Sequence, residues 1–231
     1  MHEVKPSRRN VLAMLTYAAS SKLAVAAPVV DLALVLAIDC SYSVDAVEYR
    51  LQMRGIGQSF LDSRMLEVVT HGSLQKIAIC AFHWSDAHTQ QIIMPWQILA
   101  TANDAINLAN LFLAAPRLLT AGLTNTGAAL LFARKLFEDA PMASRRVVDV
   151  STDGRCNGGP SVQSARDLLV ADGITVNGLA IVNEQPNLVS YLEENMIGGD
   201  ASFVITANDF NAYADAIRFK LLREIANINI I

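Results

Sequence analysis

The chain has 231 residues, of which 52% are hydrophobic and 17% are charged, and its formal net charge is −4 at pH 7. This length suits one substantial domain, and the apolar content suffices for a core covered on both faces. The mild acidity argues against binding to nucleic acid or to an anionic membrane surface, because both need clustered Lys and Arg.

The first 26 residues have the pattern of a cleaved export signal. A charged start containing Arg8–Arg9 precedes a short apolar stretch that ends in the small-x-small sequence Ala24–Ala26. The paired arginines resemble the twin-arginine signal of bacteria, although Val11 stands where that signal usually has Phe. We therefore expect an export segment over 1–26, a mature domain over 27–231, and a periplasmic or secreted location. An amphipathic N-terminal helix and a retained membrane anchor are the alternatives.

The rest of the chain alternates strand-like and helix-like segments. Residues 31–38 form a continuous apolar run, which is typical of a strand buried on both faces. Apolar residues between Tyr49 and Phe60 recur at helical spacing. This alternation predicts an α/β, doubly wound, mostly parallel six-stranded sheet with helices on both faces, and Pro95 closes a short antiparallel edge strand. The other predicted strands cover 76–82, 90–94, 146–152, 174–182 and 202–206, and the other predicted helices cover 103–113, 125–137, 161–171, 187–195 and 209–226.

Three loops that we expect to follow strands carry side chains with oxygen atoms. Asp39, Ser41 and Ser43 alternate directly after the first strand. Thr124 precedes a predicted helix, and Asp153 follows the strand that ends at residue 152. Ligands of open α/β sheets bind at the carboxyl ends of the strands, so we expect these side chains to converge. Since they offer only oxygen ligands, they favour Mg²⁺ or Mn²⁺ over zinc or copper.

The order of these residues resembles a known family. Asp39-x-Ser41-x-Ser43, followed along the chain by Thr124 and Asp153, is similar to the metal-ion-dependent adhesion site of von Willebrand A domains. The resemblance covers most of the chain after the export segment and is closest to exported bacterial A-domain proteins. It implies a Rossmann-like von Willebrand A fold and a metal-dependent protein-binding module of the periplasm that is not an enzyme.

The resemblance also implies a role for each residue. Ser41 and Ser43 would bind the metal through their hydroxyls, and Thr124 would join them in the ligand-competent state. Asp39 and Asp153 would hold coordinated waters and orient the hydroxyls. One coordination position would stay open for an Asp or Glu carboxylate of a partner protein.

Four residues near this site depart from the family pattern. Cys40 stands where many A-domains have a small residue, and Tyr42 is bulky. Thr152 replaces a glycine and Cys156 replaces an asparagine of the closer relatives. None of these changes removes a ligand, so they affect the rim of the site and the choice of partner.

The three cysteines Cys40, Cys80 and Cys156 form neither a disulfide framework nor a paired zinc motif. Cys80 lies in an apolar run and is expected to be a buried hydrophobic residue. A bridge between Cys40 and Cys156 stays open as an alternative, because both lie on loops predicted at the same end of the sheet.

Each fragment of the proposed site also has a simpler interpretation. Ser41, Ser43 and Thr124 could each be the N-cap of a helix, and Asp153-Gly154 could form an ordinary turn. Two other functions compete with protein binding. One is a metal-dependent phosphohydrolase of the haloacid dehalogenase type, which would need an aspartate where Ser41 stands. The other is a structural scaffold whose metal only ties loops together.

Two polar residues, Asp149 and Asn177, interrupt otherwise apolar strands. A buried charge must be paired or hydrogen-bonded. We predict that the two residues interact or share a partner in a structural network.

Overall fold

A computed structural model describes residues 29–119 and 122–226, so the predicted export segment over 1–26 lies outside the described residues. The described elements alternate along the chain as the sequence predicts. The strands are β1 (Val29–Asp39), β2 (Ile77–Trp84), β3 (Gln90–Leu99), β4 (Met142–Thr152), β5 (Thr175–Ile181) and β6 (Val204–Ala207), and the helices are α1 (Ala46–Phe60), α2 (Ser63–Thr70), α3 (Ala102–Ala114), α4 (Thr126–Leu136), α5 (Val162–Ala171), α6 (Leu188–Asn195) and α7 (Tyr213–Ala226), with a 3₁₀ turn at Phe137–Asp139.

The strands form one six-stranded sheet in the order β3-β2-β1-β4-β5-β6. All neighbours are parallel except β3, which pairs antiparallel to β2 at the edge. Helices α1, α2, α3 and α7 cover one face, and α4, α5 and α6 cover the other. The predicted fold class is confirmed. Within the described part of the chain, every helix is too short or too polar to cross a membrane.

Two elements differ from the sequence-based expectation. The edge strand β3 continues through Pro95 to Leu99 instead of ending at the proline. Its pairing with β2 shifts register around Pro95, and a bulge on an edge strand tolerates a residue without an N–H donor. Helix α2 was not predicted, because among its eight residues only Met65 and Val69 are buried, which leaves little periodic signal.

The strand order places two loops next to each other at one edge of the sheet. Strand β1 lies between β2 and β4, and Ile38 pairs with Ser151 in the β1–β4 ladder. From Leu32 to Asp39 every residue of β1 is buried, and a fully buried Leu or Ile contributes roughly 1.5–3 kcal/mol to stability. The loops after β1 and β4 therefore start from two adjacent buried strands. The order of the strands reverses between these two, which is where ligands of open α/β sheets bind.

Asp149 and Asn177 are direct neighbours in the β4–β5 ladder. Lys220 and Glu224 of α7 are both buried and contact these two residues. The Lys220 ammonium lies 2.9 Å from Asp149 Oδ1 and 2.5 Å from Glu224 Oε1, which also accepts a hydrogen bond of 2.9 Å from Asn177 Nδ2. The structure confirms the predicted network and joins its two members through the α7 pair.

This network makes the stability of the protein depend on pH. Burial and the neighbouring Asp149 raise the pKa of Glu224 from 4.5 to about 7, against the opposing effect of Lys220. A carboxyl whose pKa is higher in the folded state stabilises the fold below its unfolded pKa, and that contribution is lost as the pH rises through about 7. We expect Glu224→Gln to lose less stability than the wild type between pH 5 and pH 8, measured by urea unfolding. An identical pH slope in both proteins would contradict this assignment.

Candidate metal centre

The loop after β1 is short, since β1 ends at Asp39 and α1 begins at Ala46. Asp45 is the N-cap of α1: its Oδ1 accepts from the backbone N–H groups of Val47 at 2.6 Å and Glu48 at 2.8 Å. Glu48 Oε2 in turn accepts a hydrogen bond from the Asp45 N–H, which completes a capping box. Ser41 and Ser43 are therefore not helix caps, and their hydroxyls are free to serve the site.

The loop before α4 has its own cap and its own supports. Asn125 caps α4 through a 3.0 Å bond from the Ala128 N–H, so Thr124 is not a cap either. The carbonyl of Gly122 accepts from the Tyr42 N–H at 3.0 Å, which ties this loop to the one after β1. Gly122 has φ +150°, and a side chain there would collide with the Ser85 hydroxyl. The glycine is required for this close approach.

Asn157, in the loop after β4, holds the backbone of Thr124 on both sides. Its side-chain Oδ1 accepts from the Thr124 N–H at 3.0 Å, and its own N–H donates to the Thr124 carbonyl at 3.0 Å. This reciprocal pair fixes the position of the threonine relative to the β4 loop. The three loops are thus locked to one another by backbone contacts, independently of any bound ion.

All five residues that the sequence predicts for the site meet at this edge of the sheet. The Ser43 hydroxyl donates to Asp153 Oδ1 at 2.8 Å, and the Ser41 and Ser43 hydroxyl oxygens are 3.3 Å apart. The Thr124 hydroxyl donates to Ser41 Oγ at 3.2 Å, and Asp39 Oδ1 accepts from the Ser41 N–H at 2.8 Å. Three hydroxyls and two carboxylates therefore form one continuous cluster of oxygen atoms.

The two carboxylates of the cluster lack compensating positive charge. Asp39 and Asp153 are 1% and 3% exposed, and neither forms an ion pair with a Lys, Arg or His among the described residues. Burial and the charge of Asp153 raise the pKa of Asp39 to about 7. Burial also raises the pKa of Asp153, against the hydrogen bond from Ser43. Two buried acids that repel each other favour an added cation.

The chemistry of the donor set fits a hard divalent ion. Within the described ranges, no group of three or more His, Cys, Asp or Glu side chains could hold a metal. The oxygen cluster instead combines neutral hydroxyls with two acids, and Mg²⁺ and Mn²⁺ accept such ligands. Among the hydroxyls, Ser43 is exposed, so an ion held there would keep contact with solvent.

Sequence reasoning missed three residues that support the cluster. Thr152, noted only as a departure from glycine, donates its hydroxyl to Asp39 Oδ2 at 2.5 Å. Gln52 of α1 donates to the Asp39 carbonyl at 3.2 Å, and Asn157 holds Thr124 as described above. Asn157 lies in the loop that also carries Asp153, four residues further along the chain, and this proximity is the signal that could have found it. Nothing in the helical pattern around Gln52 distinguishes it from a surface residue.

The bridge that the sequence left open between Cys40 and Cys156 does not form, and all three cysteines are free thiols. Cys40 is fully buried in the core beneath α1, whereas Cys156 packs against the core on the opposite face of the sheet. The sheet therefore separates the two sulfur atoms. Cys80 is buried, as expected.

We expect Thr152→Val to lower the free energy of unfolding of the metal-free protein by about 1–3 kcal/mol, because Asp39 Oδ2 would lose its donor in a buried position. Urea unfolding in metal-free buffer measures the change. The matched control is Thr70→Val on α2, an exposed threonine whose hydroxyl donates to the Leu66 carbonyl. Its effect should stay within about 0.5 kcal/mol. Equal losses in the two variants would refute a special role for Thr152.

Comparison with known families and structures identifies the family and the fold of this chain. Residues 29–229 match the family described as "Protein of unknown function (DUF1194)". No curated protein matches the chain. Among solved structures, a von Willebrand factor type A protein from Catenulispora acidiphila is 17% identical with a TM-score of 0.61, over 85% of this chain and 43% of that one.

Two further structures share the fold. Proximal thread matrix protein 1 from the mussel byssus, with zinc in its metal-ion-dependent adhesion site (MIDAS) motif, is 17% identical with a TM-score of 0.59, over 85% of this chain and 47% of that one. An aerotolerance-related membrane protein from Bacteroides fragilis is 18% identical with a TM-score of 0.54, over 85% of this chain and 100% of that one. The chain spans about half the length of the mussel protein. These likenesses show the von Willebrand A fold.

Proposed function

This chain belongs to the DUF1194 family, which has the von Willebrand A fold, and we propose that it is a metal-dependent protein-interaction module. The observation that carries the proposal is the cluster of three hydroxyls around two buried carboxylates, which have no cationic partner in the part of the chain that the structure describes. The zinc-occupied MIDAS motif of the mussel protein, which has the same fold, supports a divalent ion at such a position.

The proposed ligands are the five residues of the cluster. Ser41 and Ser43 bind the ion through their hydroxyls, and Thr124 joins them when the partner is bound. Asp39 and Asp153 act mainly by accepting hydrogen bonds, from the Ser41 N–H and the Ser43 hydroxyl respectively, which orients the two serines. The oxygen-only donor set favours Mg²⁺ or Mn²⁺ as the physiological ion.

The proposed partner is a protein that offers an Asp or Glu carboxylate. Neutral hydroxyl ligands leave most of the positive charge of the ion uncompensated, so an incoming carboxylate gains strongly from direct coordination. The exposed position of Ser43 gives such a group access. We further propose that the module acts in the bacterial periplasm and is not an enzyme. The export pattern over residues 1–26 supports the location, and Ser41, standing where a phosphohydrolase needs its acid/base aspartate, supports the absence of catalysis.

Ser43→Ala is expected to weaken binding of Mg²⁺ or Mn²⁺ by about 10–100-fold. Because Ser43 is exposed, the variant should fold as the wild type does. Calorimetric titration of the metal-free full chain measures the affinity. Ser63→Ala, an exposed serine at the start of α2, is the matched control and should bind as tightly as the wild type. Equal metal affinity in all three proteins would contradict the assignment of the site.

The interaction itself is tested by a pull-down of periplasmic proteins with the full chain as bait. The proposal requires a partner that is retained with Mg²⁺ and released in metal-free buffer, and that the Ser43→Ala bait does not retain. Capture independent of both metal and Ser43 would overturn it. Turnover of an aryl phosphate would instead identify an enzyme, and a rise in thermal stability with Mg²⁺ without any retained partner would identify a scaffold.

A further inference from the structure

A second cleft lies at the opposite edge of the sheet from the oxygen cluster. Its walls come from the start of β4, the start of β5, the segment that enters β6, and the end of α7. Its volume is about 160 Å³, and one water needs about 10–15 Å³ by the same measure. The cleft can therefore hold a small ligand. Three arginines line it, namely Arg145, Arg146 and Arg223.

Arg223 is held in place by an aromatic ring. Its guanidinium carbon lies 3.8 Å from the centroid of the Phe203 ring, a stacked cation–π contact. Among the described residues, Arg223 has neither a carboxylate nor a carbonyl partner. Stacking occupies the face of the guanidinium and leaves its in-plane N–H donors available, which is the arrangement that suits recognition of a planar or tetrahedral oxyanion.

The ring that supports Arg223 is itself fixed. The Phe203 N–H donates to Asn177 Oδ1 at 3.0 Å, and the Phe203 carbonyl accepts from the Gly178 N–H at 3.0 Å. Asn177 is in turn bonded to Glu224, one residue after the arginine on α7. The stacked pair is therefore anchored from both the sheet and the helix, so a ligand would meet a preorganised donor.

The balance of charge in the cleft favours an anion. Arg145 donates through both Nη atoms to the Glu224 carbonyl at 3.1 Å, and Arg146 donates to the Asp172 carbonyl, so neither arginine is neutralised by a carboxylate in these contacts. Of the two acids in the lining, Glu224 is already bound to Lys220 and Asn177, and Asp200 is exposed. Asp31 and Asp172 lie outside the lining and act on Arg145 and Arg146 respectively, so Arg223 is the guanidinium of the cleft that is left without a carboxylate partner among the described residues.

We propose that this cleft binds a small phosphate-class oxyanion, with Arg223 as its main donor and Phe203 as the support of that arginine. The ligand is either free phosphate or the terminal phosphoryl group of a small ester, since the cleft is too small for a larger body. The cleft lies at the other end of the sheet from the oxygen cluster and needs no metal. This proposal therefore does not depend on the proposed metal-dependent function.

The test is calorimetric titration of the full chain after removal of metal with a chelating resin, which avoids a soluble chelator that is itself an oxyanion. Inorganic phosphate should bind saturably, and Arg223→Gln should weaken it about tenfold or more, because a charge-assisted hydrogen bond is lost. Phe203→Leu keeps the charge and removes the stacking face, so it should weaken binding in the same direction. Arg54→Gln on α1, an exposed arginine elsewhere, is the charge-matched control and should bind as the wild type does.

Three results would overturn the proposal. They are no saturable binding of phosphate to the wild type, equal binding by Arg223→Gln and Arg54→Gln, or tighter binding of succinate than of phosphate. Circular dichroism establishes that each variant is folded before titration. If Arg223→Gln does not fold, Phe203→Leu supplies the test in its place. Glycerol 3-phosphate in place of phosphate identifies the source of the ligand: tighter binding assigns a phosphate ester, and weaker binding assigns the free ion.

Discussion

Replacing the buried Lys220 by methionine is expected to lower the free energy of unfolding by about 3–5 kcal/mol at pH 8. The ammonium lies 2.9 Å from Asp149 and 2.5 Å from Glu224, and all three side chains are withdrawn from water. Without Lys220, two carboxylates would face each other in the core beneath α7. The loss should shrink at pH 5, because Glu224, whose pKa burial raises to about 7, can then take up a proton instead of staying charged.

Two further variants separate this effect from a mere change of packing. Lys135→Met on α4 removes an exposed lysine and should change stability by less than about 0.5 kcal/mol. The triple variant Asp149→Asn/Lys220→Met/Glu224→Gln leaves no charge in this network and should regain more than half of the loss. Urea unfolding at both pH values measures all of these proteins. If the triple variant is as unstable as the single one, lost packing and not exposed charge explains the result.

Asp39→Asn is expected to have opposite effects on the metal-free and the metal-bound protein. Without metal, the substitution removes one of two buried like charges and should raise the free energy of unfolding by about 1–2 kcal/mol. The asparagine can still accept from the Ser41 N–H, and its amide can donate to the Thr152 hydroxyl, so both hydrogen-bond positions stay filled. With Mg²⁺ at 100 times its dissociation constant, the wild type gains about 2.7 kcal/mol and the variant gains little.

The order of stability of the two proteins should therefore reverse when Mg²⁺ is added. Thermal unfolding with and without Mg²⁺ measures the reversal, and Asp215→Asn, an exposed aspartate on α7, is the matched control whose response to Mg²⁺ should equal that of the wild type. A stabilisation by Mg²⁺ that is as large in Asp39→Asn as in the wild type would show that the ion binds elsewhere.

Much of the site could be predicted because its signals are local. The apolar run before Asp39 identifies a buried strand, and alternate residues after it point the same way, so Ser41 and Ser43 were expected to act together. The general rule that ligands of α/β sheets bind at the carboxyl ends of strands then places Asp153 at the same edge. The loop that carries Thr124 follows helix α3 instead of a strand, so only the resemblance to von Willebrand A domains indicated this residue. The identity of the helix caps was not accessible in this way. Serine, threonine and aspartate are all good N-caps, and only the path of the chain decides that Asp45 and Asn125 take that role.

What the sequence by itself determined is the order of the elements, the class of the sheet and the five oxygen-bearing residues of the site. The elements and the sheet follow from hydrophobic periodicity, which acts over a few residues, whereas the five residues are proposed as a site because their order resembles that of von Willebrand A domains. Only the tertiary structure decided that Lys220 and Glu224, two charged residues four positions apart on α7, are buried against Asp149 and Asn177. It also decided that Thr152 supports Asp39, and that Phe203 and Arg223 stack beside the arginines of β4. Such contacts join residues that are far apart along the chain, and they depend on which face of each element meets its neighbour.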